Sequence, residues 1–147
     1  MKTILVLNGP NLNRLGLREP NVYGHQTLAD LESQLSQLAD KLSCKVMFKQ
    51  SNHEGEIIDW IHEFADQIDG LIINPGAFTH YSYAVRDAIA SITYPVIEVH
   101  ISNIHAREDF RHKSVTAPLT KGQIVGLGFK GYHYALLNLV EGEGMNE

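Results

Sequence analysis

Cysteine, tryptophan and long apolar runs are scarce in this sequence. Of 147 residues, one is cysteine and one is tryptophan. A single Cys44 excludes an internal disulfide. Near the end of an apolar helix it reads as a small buried thiol, so a reducing, cytoplasmic setting is expected. No stretch approaches the roughly 20 apolar residues that a membrane helix needs, and no membrane partner is expected. Residues 2–7 are too short for the apolar core of a signal peptide and are broken at once by Asn8-Gly9-Pro10, so no targeting segment is expected. Basic charge is also in short supply. Twelve Lys and Arg against 17 Asp and Glu give a net charge of -5 and a pI near 5.9, which argues against a nucleic-acid surface. An acidic protein can still bind an acidic ligand if its few arginines gather in one pocket. No repeat or linker divides the chain. One catalytic domain over residues 1–147 is expected, with 142–147 a frayed acidic tail.

What is present is concentrated. The chain is 44% hydrophobic, enough for a sizeable core, and it holds eight histidines, several of them clustered. The loop over residues 8–24 is about three times longer than the roughly 2–6 residues usual between a strand and a helix. It carries Gly9, Gly16 and Gly24, Pro10 and Pro20, four asparagines, and Arg18 five positions before Tyr23. Long structureless loops in compact domains tend to be functional lids or disordered segments, and a place between two strong elements without low complexity favours the lid.

Around that loop the elements alternate. Residues 3–7 form a continuous apolar run, as expected of a strand buried on both faces. Leu28, Leu31, Leu35, Leu38 and Leu42 recur at helical spacing, with Thr27 placed to cap and Asp30 in the first turn. A second strand is expected at 45–50 and a helix from Glu54 marked by Ile57, Ile61, Phe64 and Ile68. A third strand is expected at 71–73, and a helix carrying Ala84, Val85, Ala88, Ile89 and Ile92. Strands at 96–99 and 123–127 and a last helix reaching Val140 complete the series. Five strands separated by helices predict an α/β protein, a flavodoxin-like five-stranded parallel sheet with helices on both faces. Such folds bind ligands beyond the carboxyl ends of the strands, at the switch point between strands 1 and 3. The long loop, residues 74–80 and residues 98–105 all leave that end of the sheet.

Those segments carry the chemistry. A guanidinium near a phenol lowers its pKa from about 10, so Arg18 could make Tyr23 a base; a surface tyrosine beside a solvated arginine is the plainer alternative. Glu98 and His100 project from one face of a strand. A carboxylate beside an imidazole raises its pKa and fixes its tautomer, which makes His100 a candidate general acid, against a core histidine or a metal ligand. Glu98, His100, His105 and His112 match no compact metal spacing. Arg107 and Arg111 share a face if their segment is helical, and form either a carboxylate fork or surface ion pairs. Asn11, Asn74, Ser102 and the amides near Ile101 offer neutral donors. His80 and Asp87, seven apart, would lie on one face of the third helix, His80 toward the crevice and Asp87 two turns away. A flavin- or nucleotide-binding module is the rival class, but the first loop has neither a Thr/Ser-rich phosphate cradle nor a G-x-G-x-x-G. A pure interaction domain would not explain Asn, His and Arg gathered at three strand ends.

Three blocks in order, residues 7–24, 73–80 and 98–108, closely resemble the type II 3-dehydroquinate dehydratases, and Gly126-Leu127-Gly128 also fits. Phe78 and Tyr81 stand where that family more often has a tyrosine and a threonine. The resemblance implies a flavodoxin-like lyase that converts 3-dehydroquinate to 3-dehydroshikimate by anti elimination through an enolate, in the shikimate route to chorismate and aromatic amino acids. It implies no cofactor, no metal and no Schiff base, and a homo-oligomer, a dodecamer of four trimers. By resemblance Tyr23 is the base, Arg18 keeps it ionised, His100 is the acid and Glu98 orients it. Asn11 would position the water that stabilises the enolate. Asn74, His80, Ile101, Ser102 and Arg111 would bind substrate, and Asp87 would reach across a trimer interface into a neighbour's site.

Overall fold

The apolar runs become the middle of a twisted sheet. In a computed structural model, which describes residues 1–17 and 19–141 and of Tyr23 only the backbone, five parallel strands pair in the order β2-β1-β3-β4-β5. They are β1 (Thr3–Asn8), β2 (Lys45–Gln50), β3 (Gly70–Asn74), β4 (Val96–His100) and β5 (Gly122–Val125). The helices are α1 (Pro20–Tyr23), α2 (Leu28–Leu42), α3 (Glu54–Glu63), α4 (Tyr83–Ala90) and α5 (Lys130–Glu141). This is the flavodoxin-like order, with its switch point between β1 and β3.

Strand alternation sorts the core into two layers. Ile4 and Val6 of β1, Ile72 of β3 and Ile97 and Val99 of β4 pack with Leu31 and Leu35 of α2 and Tyr132 and Leu136 of α5. Leu5, Leu7, Leu71, Ile73 and Val96 point the other way, onto Ile57 and Ile61 of α3 and Val85 and Ile89 of α4. The helix starts follow local chemistry. Thr27 accepts from the Asp30 amide while the Asp30 carboxylate accepts from the Thr27 amide, a full capping box. Ser82 caps α4 through the Val85 amide. Cys44 is buried just past the end of α2. Among the described residues, no helix is long and apolar enough to cross a membrane.

Several expectations are corrected. The first loop is not structureless: Leu12–Arg14 form a 3₁₀ turn and Pro20–Tyr23 a helical turn, because Asn11, Gly16, Glu19 and Gly24 take positive φ and let the chain turn tightly. α3 stops at Glu63, with Phe64 as its cap, and Ile68 is buried from the turn that follows. His80 does not share a helix with Asp87. It ends a separate 3₁₀ turn, Gly76–His80, and α4 begins afresh behind the Ser82 cap. Arg107 and Arg111 share no helix either. Arg107 is extended between the 3₁₀ turns Ile104–Ala106 and Asp109–His112. β5 ends at Val125, where Gly126 takes a φ of +86° against Asn103.

Candidate active site

The carboxyl ends of β1, β3 and β4 open into one cavity of about 150 Å³. Asn11 enters from the β1 loop, Asn74 from the end of β3 and His80 from the 3₁₀ turn beyond it. His100 comes from the end of β4, followed by Ile101, Ser102, Arg107 and Arg111. The two loops over the switch point touch at backbone level. The Gly9 amide donates to the Asn74 carbonyl at 2.8 Å, and a Cβ at Gly9 would sit 2.8 Å from the Pro75 carbonyl oxygen. Asn11 is held in the left-handed conformation by its amide, which donates to Asn52 Oδ1 at 2.9 Å.

At the floor, His100 Nε2 and Glu98 Oε2 are 2.6 Å apart, with Glu98 fully buried and His100 5% exposed. Glu98 has a dense set of donors. Thr79 Oγ1 donates to Oε2 at 2.7 Å, Gln123 Nε2 to Oε2 at 2.8 Å and Thr116 Oγ1 to Oε1. Gln123 reaches it across the ladder, since it pairs with Glu98 between β4 and β5. Burial pushes the Glu98 pKa up. Hydrogen bonding and attraction from His100, with the Thr116 and Thr79 hydroxyls, outweigh that, and the carboxyl lies below its ordinary 4.5. An ionised Glu98 accepts a proton-bearing Nε2, which leaves His100 Nδ1 as the nitrogen that Glu98 does not engage.

His80 is a neutral counterpart. Burial lowers its pKa, and the charges of His100 and Arg111 add to this, against the raising effect of the Lys113 carbonyl and Glu98. Nδ1 lies 2.8 Å from that carbonyl, which can only accept. Nδ1 therefore carries the proton, and Nε2 of the neutral ring is an acceptor. Two arginines close the other side with most of their side chains buried, 14% exposed for Arg107 and 15% for Arg111. Arg107 Nη1 donates to Ser102 Oγ at 3.2 Å and its Nη2 lies 3.5 Å from Glu19 Oε1. Arg111 Nε donates to Glu108 Oε1 at 2.8 Å, and its guanidinium lies 4.6 Å from the Phe110 ring centroid. The ion-pair alternative for these arginines is seen, since both lie against Glu108, and both also line the cavity.

The structure thus gathers Asn11, Asn74, His80, His100, Ile101, Ser102 and Arg111 around one space, with Glu98 beneath. Asp87 stands apart, exposed on α4 and outside the cavity wall. Arg18 and the side chain of Tyr23 lie outside the described residues. The backbone of α1 stands at the mouth, where Asn21, Val22 and Gly24 share a recess with Ile101, Ser102 and Arg107. Among the described residues no group of three or more His, Cys, Asp or Glu could hold a metal ion. Thr79, Thr116, Gln123 and Tyr132 escape the sequence reading. Strand pairing of residue 123 with residue 98 was the one available signal, and only for Gln123.

Such a fold and such a cavity define a doubly wound α/β protein whose pocket at the switch point is lined by a carboxylate-bonded histidine and two arginines. The chain belongs to the class II dehydroquinase family, whose sequence profile, "Dehydroquinase class II", matches residues 2–140. It is 66% identical to the 3-dehydroquinate dehydratase of Halalkalibacterium halodurans over 97% of this chain and 99% of that one. It is 64% identical to the 3-dehydroquinate dehydratase of Anoxybacillus flavithermus over 98% and 99%. The crystal structure of the type II dehydroquinase from Propionibacterium acnes superposes with a TM-score of 0.92 at 48% identity, covering 95% of this chain and 97% of that one.

Proposed function

We propose that this protein dehydrates 3-dehydroquinate to 3-dehydroshikimate, and so works in the shikimate route to chorismate and aromatic amino acids. Family membership supports the reaction, and the buried Glu98–His100 pair at the cavity floor is the observation that carries its mechanism. Removing a proton beside a ketone creates an enolate, and expelling hydroxide needs a proton donor placed elsewhere. Tyr23, kept ionised by Arg18, takes the proton from the carbon next to the ketone. The electron pair moves into the enolate, whose oxygen is stabilised by a water positioned by Asn11. Collapse of the enolate expels the hydroxyl, to which His100 gives its proton, so that water leaves by anti elimination.

His80 Nε2 accepts from a substrate hydroxyl, and Asn74 and Arg111 hold the remaining oxygens. Ser102 and the Ile101 amide meet the carboxylate. The chemistry asks for no cofactor. We further propose a cytoplasmic dodecamer of four trimers, in which Asp87 reaches a neighbour's cavity. Exposed Asp87 lies on the helix that begins with Tyr83, itself 64% exposed, beside Tyr81 at 59%, and light scattering that finds a stable monomer would overturn it.

The reaction is tested with purified, chelator-treated protein and 3-dehydroquinate. The product is a conjugated enone, so ultraviolet absorbance should rise, and go on rising after borohydride treatment with substrate. A flat trace from folded protein would overturn the reading.

A further inference from the structure

Behind the cavity floor, on the face of the sheet covered by α5, three polar side chains stand in a line within the apolar layer. Asn8 continues the β1 row of Ile4 and Val6, and Asn74 continues the β3 row of Ile72. The two asparagines are direct neighbours in the ladder. Between them rises Tyr132 from α5. Tyr132 and Asn8 are fully buried, and Asn74 is 3% exposed.

The sense of this chain of bonds is set at one end. The Gly76 amide can only donate, and it donates to Asn74 Oδ1 at 3.1 Å. Asn74 must therefore turn Nδ2 toward Tyr132, whose hydroxyl accepts at 2.9 Å. A phenol has one proton, and with that lone pair taken it goes to Asn8 Oδ1 at 2.6 Å. Burial pushes the pKa of Tyr132 up, so the proton stays in place. The sequence ends on Asn8 Nδ2, which is buried and has no hydrogen-bond partner among the described residues. An unsatisfied buried donor is destabilising, and such exceptions call for an explanation.

We propose that Tyr132 is a positioning residue for Asn74. It takes up one Nδ2 hydrogen and, with the Gly76 amide on the oxygen, stops the amide from flipping. The second Nδ2 hydrogen is then presented to the cavity as a fixed donor. At this point the site accepts a hydroxyl, carboxylate or carbonyl oxygen, and offers no acceptor to a ligand group that can only donate. The inference rests on the proposed dehydratase reading, in which Asn74 touches substrate.

The test is steady-state turnover of 3-dehydroquinate by Tyr132→Phe, alone and combined with Asn74→Ala. A free amide should cost about tenfold in kcat/KM, carried mainly by KM. In the Asn74→Ala background the same change should cost less than about twofold, because the contact it serves is gone. Equal losses in both backgrounds, or an unchanged KM in the single variant, would overturn the role. If Tyr132→Phe does not fold, Asn8→Ala takes its place. It keeps the phenol and removes the Asn8 amide that accepts its proton, and should raise KM about threefold, again with no effect once Asn74 is alanine; a KM rise that persists there, or none in the single variant, overturns it. Wild type is the control. Wild type without turnover would sink the dehydratase reading and this inference with it, whereas active wild type with an unaffected Tyr132→Phe would sink the inference alone.

Discussion

The floor and the rim of the cavity are built in opposite ways. At the floor, Glu98 is fully buried and takes hydrogen bonds from residues on β4, β5, the 3₁₀ turn after β3 and the segment at 116. At the rim, Asn11 and Glu19 are exposed non-glycine residues in left-handed backbone, neither with a side-chain cap bond. The floor is overdetermined and does not need a ligand to hold its shape. Among the described residues, the rim contacts include backbone hydrogen bonds and ion pairs such as Arg107 with Glu19. The difference teaches where each half of an acid–base reaction can be kept. The proposed acid, His100, has a fixed partner and sits on a strand, and the proposed base, Tyr23, belongs to the rim.

Breaking the rim should have the largest effect. Tyr23→Phe is expected to lower kcat by about a thousandfold or more, since the proton acceptor is lost, while substrate binding and the circular dichroism spectrum are kept. Lost binding together with a disordered fold would contradict that division. Arg18→Ala is expected to move the rise of activity to higher pH, as Tyr23 drifts back toward its free pKa near 10. An unchanged pH profile would refute the role of Arg18.

Breaking the floor should cost less in rate and more in stability. Glu98→Gln is expected to lower kcat about a hundredfold and to destabilise the fold by about 2 kcal/mol at neutral pH, because several buried donors lose a charged acceptor. The pH dependence has a definite sign. The folded-state pKa of Glu98 is depressed, so its contribution is complete above 4.5 and is lost as pH falls through the folded value. The gap between wild type and variant in urea titrations should therefore narrow on acidification. A gap that widens would mean that Glu98 is not held ionised.

The smallest effect should come from a change that touches neither region. Thr27→Ala removes one arm of the α2 capping box and is expected to cost about 1 kcal/mol in thermal stability, with KM and kcat unchanged. A shift in KM would mean that the start of α2 governs the rim.

The same contrast explains what the sequence disclosed. Strands buried on both faces read as unbroken apolar runs, so β1, β3 and β4 were legible, and the i, i+2 step put Glu98 beside His100 without any structure. The cap at Thr27, with Asp30 in the first turn, was equally local, and the structure adds the return bond to the Asp30 carboxylate. The donors around Glu98 were not. Thr79, Thr116 and Gln123 meet it across 18 to 25 residues, and Tyr132 meets Asn8 across 124, distances over which no periodicity speaks. His80 was assigned to the wrong helix because Tyr81 and Ser82 interrupt the chain through a cap, which apolar spacing does not register. The arginines at 107 and 111 had no apolar stripe to say whether their segment coils.

Gly9 and Gly76 bear on what this scaffold can become. A side chain at Gly9 would strike the Pro75 carbonyl, and one at Gly76 would press on Pro10 at 3.2 Å. The seam over the switch point is therefore closed to variation, a bare join of main chain to main chain. An engineer wishing to admit a bulkier or differently charged molecule has to cut from the side of residues 101–111, where the wall is made of side chains that can be exchanged.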